Sequence, residues 1–135
     1  MEPKNGKIIY KELSYNIVGV LYEVYNNLGY GYQEKVYEKA VAKGLKENSL
    51  DFKRQAPYKV IYKNECIAIR YIDFIVKDKI VLELKRGKHY SKNNIKQIKE
   101  YLSVTGLKLA IIASFTSDGV KIFRALNPNN LKNNL

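Results

Sequence analysis

Hydrophobic positions along the chain change period several times, and each change marks an element. Ile17, Leu21, Val24 and Leu28 recur at i, i+4, i+7 and i+11, one stripe of an amphipathic helix that Ser14 is placed to cap and Gly29 to stop. The GYGY linker, Gly29 to Tyr32, leads into a second helix from about Gln33 to Lys46, burying Val36, Ala40, Val41 and Leu45 and broken by Asn48-Ser49. The period then drops to two. Tyr58, Val60 and Tyr62 alternate with Lys59, Ile61 and Lys63, a half-buried strand. After a turn at Lys63-Asn64-Glu65, apolar runs predict strands from about Cys66 to Val76 and from Ile80 to Lys85. Helical spacing returns with Ile95, Ile98 and Leu102, between Ser91 as cap and Gly106 as stop. Leu107 to Phe115 is apolar almost throughout, as a strand covered on both faces is, and Asp118-Gly119 turns into a short strand, Val120 to Phe123. The order is two helices, three strands, a helix and two strands. It predicts a mixed sheet flanked by helices, of the α+β or mixed α/β class. One domain over 1–126 is expected, with the Asn-rich segment 127–135 as a flexible tail.

The strand pair contains three residues that interrupt its core pattern: Asp73, Glu83 and Lys85. If Lys77-Asp78-Lys79 is a three-residue hairpin loop, Val76 pairs with Ile80, Asp73 lies opposite Glu83, and Lys85 lies opposite Tyr71. A two-residue loop would instead put Asp73 opposite Leu84. In the first register Asp73, Glu83 and Lys85 share a face with Ile69, Ile75 and Val81, and directly opposed Cβ atoms stand about 4.5–5.5 Å apart. Like charges so placed destabilise a sheet unless something offsets them. A shared proton, the nearby Lys85 or a divalent cation would each do so. Glu34 in the first turn of the second helix, and Gln97 with Tyr101 one turn apart on the third, are consistent with the same site.

Charge narrows the partner. The 135 residues carry 24 Lys plus Arg against 13 Asp plus Glu, a net charge of +11, which favours a polyanion such as nucleic acid. Apolar content of 46% supports a folded domain, and no apolar run is long enough to span a bilayer. The only cysteine, Cys66, has no Cys or His at zinc or iron–sulfur spacing. With no signal-peptide pattern at the N-terminus, a cytoplasmic location is expected.

Gly31-Tyr32-Gln33-Glu34-Lys35-Val36-Tyr37 fits GxxExxY, Glu83-Leu84-Lys85 fits ExK, and Gln97 to Tyr101 fits QxxxY. With Asp73, this ordered set resembles the GxxExxY proteins of the PD-(D/E)xK nuclease superfamily over about residues 12–124. The resemblance implies a restriction-endonuclease-like αβββαβ core with a metal site where the sheet splits. It implies that Asp73 and Glu83 hold Mg²⁺ or Mn²⁺ with the main-chain oxygen of Leu84, and that Glu34 adds a ligand directly or through water. Lys85 would position and activate the attacking water. Gln97 and Tyr101 match an element of the branch shared with RecB-like exonucleases, where it supports the active site and nucleic-acid binding. One departure is Tyr30 between Gly29 and Gly31, where relatives often have proline.

Lys53, Arg54, Arg70, Arg86, Lys88, Lys92 and Lys96 are candidates for a phosphate track, and Tyr30, Tyr32 and Tyr90 for base stacking. The expectation is therefore a metal-dependent nuclease acting on DNA rather than RNA, single-strand or end-directed. A structure-selective, junction-resolvase-like endonuclease is the alternative and implies a homodimer. A nucleic-acid-binding module without catalysis is the reading from a different class. DNA repair or defence, with a protein partner for targeting, would suit so small a domain.

Overall fold

The structure, a computed structural model, describes residues 9–87 and 92–128. Its elements are α1 (Lys11–Leu28), α2 (Glu34–Glu47), β1 (Phe52–Tyr62), β2 (Glu65–Val76), β3 (Ile80–Arg86), α3 (Lys92–Thr105), β4 (Leu109–Thr116) and β5 (Gly119–Leu126). The five strands form one mixed sheet in the order β1-β2-β3-β4-β5. Only β3 and β4 run parallel, because α3 returns the chain between them.

Two layers of side chains cover the sheet. On one face Ile17, Leu21, Tyr37, Val41 and Leu45 of α1 and α2 pack on Phe74, Val76, Leu82, Leu84 and Phe115. On the other, Ile98, Tyr101 and Leu102 of α3 pack on Tyr58, Ile72, Val81, Ala110 and Ile112. Every residue of β4 is buried, as its unbroken apolar run requires. Residues 77–79 form the three-residue hairpin loop, with Lys77 and Asp78 at positive φ, and the pairs Phe74↔Leu82, Ile75↔Val81 and Val76↔Ile80 fix the expected register.

Several boundaries differ from the sequence reading. Helix α1 starts at Lys11 behind Tyr10, so Ser14 is a buried residue of the helix rather than its cap. Strand β1 begins at Phe52 because its ladder with β2 satisfies the backbone whatever the side chains are. Strand β5 continues to Leu126, and Asn127 is buried, donating its side-chain amide to the carbonyls of Leu102 and Leu107. The β2–β3 ladder stops at Phe74↔Leu82, so Lys85 does not pair with Tyr71 but lies beside Ser114 of β4. Ser91, the expected cap of α3, lies outside the described residues.

Helices α1 and α2 approach closely at Gly44, where a methyl group would stand 2.6 Å from Val20 Cγ1. Val20 is buried and β-branched, so it has little room to move. Gly44→Ala is therefore expected to destabilise the protein by about 1–2 kcal/mol in urea unfolding, overpacking outweighing the gain in helix propensity of about 1 kcal/mol. Val20→Ala in the same chain should recover part of that loss.

Candidate active site

Beyond Phe74↔Leu82 the strands β2 and β3 separate, and two carboxylates take over their backbone hydrogen bonds. The Asp73 N–H donates to Glu83 Oε1 at 2.8 Å, and the Leu84 N–H donates to Asp73 Oδ2 at 3.0 Å. Each acid thus accepts from the strand opposite. The side-chain alternation breaks at the same level. Phe74 faces α1 and α2, whereas Ile72, two residues away, faces α3. On β1, Arg54 reaches Glu38 of α2, whereas Ala56 faces α3, and the intervening Gln55 has φ 52°. One consequence corrects the sequence reading. Ile75 and Val81 do lie on the α3 face, but Ile69 lies on the opposite one, because Arg70 pairs with Tyr58, which packs under α3.

Glu83 is 3% exposed, and its carboxyl is pushed up to about 8, first by burial and then by the neighbouring charge of Asp73. Burial also raises Asp73, with Glu38 adding to the shift and the Leu84 N–H opposing it. Lys85, half-buried, brings its ammonium to 3.8 Å from Glu83 Oε2. The expected trio is therefore together, at the C-terminal part of β3.

Glu34 is exposed at the start of α2. One turn later Glu38, which the sequence reading did not single out, reaches the site. Gln55 Nε2 donates to Glu38 Oε1 at 3.0 Å and to Asp73 Oδ1 at 3.2 Å, so a single amide links the two acids. Arg54 Nε donates to the same Glu38 oxygen at 2.8 Å. The available signal was the i, i+4 spacing from Glu34, which puts both acids on one helix face. Tyr37 has a structural role. It is fully buried, stacks on Phe115 at 4.2 Å and donates its hydroxyl to the Gly29 carbonyl at 2.6 Å, closing the GYGY turn in which Gly29 and Gly31 both have positive φ.

Helix α3 supplies the other wall. Tyr101 is buried and donates to the Tyr71 carbonyl at 3.4 Å; burial and the charges of Glu83 and Asp73 raise its pKa, keeping it a donor. Gln97 lines a polar recess of about 380 Å³ with Arg70, Asn93, Asn94, Lys96 and Glu100. Arg70 is 3.7 Å from Glu100, which also accepts from the Tyr58 hydroxyl. Lys92 is exposed at the head of α3. Arg86 sits over the Tyr30 ring at 5.5 Å, so those two candidates meet each other. Lys53 is ion-paired with Asp78 at the far end of the hairpin. Lys88, His89 and Tyr90 lie outside the described residues.

Among the described residues no three His, Cys, Asp or Glu side chains stand together in a metal-holding group. The pair Asp73 and Glu83 nevertheless fits a small hard cation. Their oxygens are hard donors, their burial disfavours two uncompensated negative charges, and Mg²⁺ is commonly held by one or two carboxylates plus waters and substrate phosphate.

Comparisons with known proteins agree with this architecture. The sequence model of the PD-(D/E)XK nuclease superfamily matches residues 11–124. A solved structure described as that of SSO0001 is similar at 18% identity and a TM-score of 0.52, over 70% of this chain and 50% of that one. This chain thus spans about half the length of that structure. An alkaline exonuclease (LHK-Exo) from Laribacter hongkongensis is similar at 11% identity and a TM-score of 0.49, over 90% of this chain and 86% of that one. No match was found among curated proteins. The fold is the restriction-endonuclease-like one expected from the sequence.

The raised carboxyl fixes a pH dependence. In the metal-free protein Glu83 keeps its proton to about pH 8, whereas in the unfolded chain it ionises around its ordinary value of 4.5. The fold therefore binds the extra proton in that window, and stability should fall as pH rises from about 5 to about 8 and then level off. Glu83→Gln keeps the acceptor and removes the charge. It should flatten this slope and be the more stable protein at pH 8 by on the order of 2–4 kcal/mol, measured by urea unfolding in EDTA.

Proposed function

Because this chain belongs to the PD-(D/E)XK nuclease superfamily, we propose that it is a Mg²⁺- or Mn²⁺-dependent nuclease of the GxxExxY group that hydrolyses DNA phosphodiesters at single strands or ends. The observation that carries this reading is the reciprocal carboxylate pair at the sheet split with Lys85 beside it. Asp73 and Glu83 would hold a divalent ion, which would supply charge neutralisation at the phosphate and activation of the attacking water. Asp73 and Glu83 are each oriented for this by a backbone N–H group, Asp73 also by the Gln55 amide. Lys85 sets a positive charge where it can orient the attacking water and stabilise charge growing on the phosphate. Glu38 is linked to Asp73 through Gln55 and adds a second acid on the helix that Glu34 of the motif opens.

Tyr101 fixes the end of the open strand by holding the Tyr71 carbonyl. Gln97, Arg70 and Lys96 line the recess next to it, a route for a nucleic-acid backbone. The Gln97–Tyr101 pair supports the RecB-like branch and, with it, end-directed action.

The test is cleavage of labelled single-strand, duplex, flap and four-way-junction DNA, and of single-strand RNA, with Mn²⁺ or Mg²⁺ against EDTA. Metal-dependent cleavage of single-strand or end-bearing DNA is expected, with Asp73→Asn and Lys85→Ala at least about 100-fold slower. Glu38→Gln should slow it more than Glu34→Gln. A wild-type protein that binds DNA tightly and cleaves nothing would overturn the reading.

A further inference from the structure

The hairpin β1–β2 is longer than the sheet that carries it. Past Ala56↔Ile72 its strands pair with each other but not with β3, while α1 and α2 pack over β3 and β5. The result is a two-stranded arm that reaches the turn at Lys63-Asn64. Its α3-side face is partly used, since Tyr58 packs on Tyr101 and Arg70 meets Glu100. The other face is not used by any of the described residues. Tyr71 and Ile69 lie on it by alternation, opposite Pro57 and Lys59, and Ile61 and Ile67 continue the row across the bulge. These four large side chains are 53–58% exposed.

We propose that this face is a self-association surface, occupied by the arm of a second copy of this chain. Size is the first argument. The four side chains expose on the order of 400 Å² together, within the range of surface patches that tend to be functional. Two such arms, with Pro57 and the Lys59 stem, would bury on the order of 1,000 Å², the lower bound for a specific interface. Chemistry is the second. Three of the four side chains are isoleucines, which offer no π-face for bases and no donor for phosphates, Tyr71 being the one aromatic, and Lys59 is the only charge in the row, so the face matches an apolar surface like itself. Geometry is the third. Pro57 interrupts the free edge of β1, so association by edge pairing is disfavoured and packing face on face remains. The arm, residues 57–71, carries +2 of the net charge of +11, so most of the positive charge lies on the bodies, which stay apart when the arms meet.

Sedimentation velocity from about 1 to about 200 µM tests this, and needs neither metal nor nucleic acid. The micromolar affinity typical of a small interface is expected for wild type, strengthening with salt as the repulsion of two cationic chains is screened. Ile69→Asp and Ile69→Lys should both remain monomeric with unchanged circular dichroism, whereas Val104→Lys, at an exposed site on α3, should associate like wild type. A nitroxide on Cys66, the only cysteine, should report a defined inter-chain distance that Ile69→Asp abolishes. A wild-type monomer at the highest concentration, or a dimer that both Ile69 variants leave intact, would overturn the proposal. A monomer whose oligonucleotide binding is weakened by Ile69→Asp and strengthened by Ile69→Lys would overturn it too and assign the face to nucleic acid.

Discussion

The sheet opens where two side chains replace main-chain carbonyls as acceptors. Asp73 and Leu84 each need a partner for a backbone N–H at the point where their strands separate, and the carboxylates of Glu83 and Asp73 supply it crosswise. This exchange satisfies the backbone without closing the ladder, so a gap can exist inside a sheet at no cost in unpaired groups. The neighbours determine which strand moves aside. β3 is locked to β4 along its whole length, from Ile80↔Leu109 to Arg86↔Phe115. β2 is locked to β1 instead, so the two leave together as one hairpin. That is why Gln55 and Asp73, at the same level of that hairpin, both interrupt the alternation.

The gap is then filled from both layers. Glu38 reaches Asp73 through Gln55 from the α2 side, and Tyr101 holds the Tyr71 carbonyl from the α3 side. Burying Glu83 beside Asp73 is unfavourable in itself, and Lys85 at 3.8 Å offsets only part of the repulsion. A structural ion pair would place its cation closer and satisfy both acids. This arrangement leaves the acids short of positive charge, which is the condition under which a further cation gains most from binding there.

Much of this was legible because a strand register is fixed by apolar alternation. The pairing of Val76 with Ile80 followed from the loop length, and the juxtaposition of Asp73 with Glu83 followed from the pairing. Glu38 was legible only in part: its i, i+4 spacing puts it on the helix face of Glu34, but its reach to Arg54 and Gln55 depends on how α2 docks over β1. Ile69 was assigned to the wrong face for a related reason. The alternation breaks at Asp73, and isoleucines and tyrosines on both sides of the break look alike in sequence. Ser14 shows the limit of reading a cap from residue type: the apolar stripe begins one turn earlier in space, with Ile9, Tyr10 and Leu13 packed against the core.

The exposed arm and the acid pair are parts of one strand, and this links them physically. Ile69 and Asp73 are four residues apart on β2, about 13 Å along an extended chain. The hairpin between them is paired on one edge only, so its direction where it leaves the sheet is held by few contacts, chiefly Tyr58 and Tyr101 packed edge to face at 5.3 Å and the Tyr101 hydroxyl on Tyr71. Whatever grips the free face of the arm therefore fixes the angle at which β2 enters the split. The Asp73 carboxylate is fixed to that strand by its own backbone and to β3 by the Leu84 N–H.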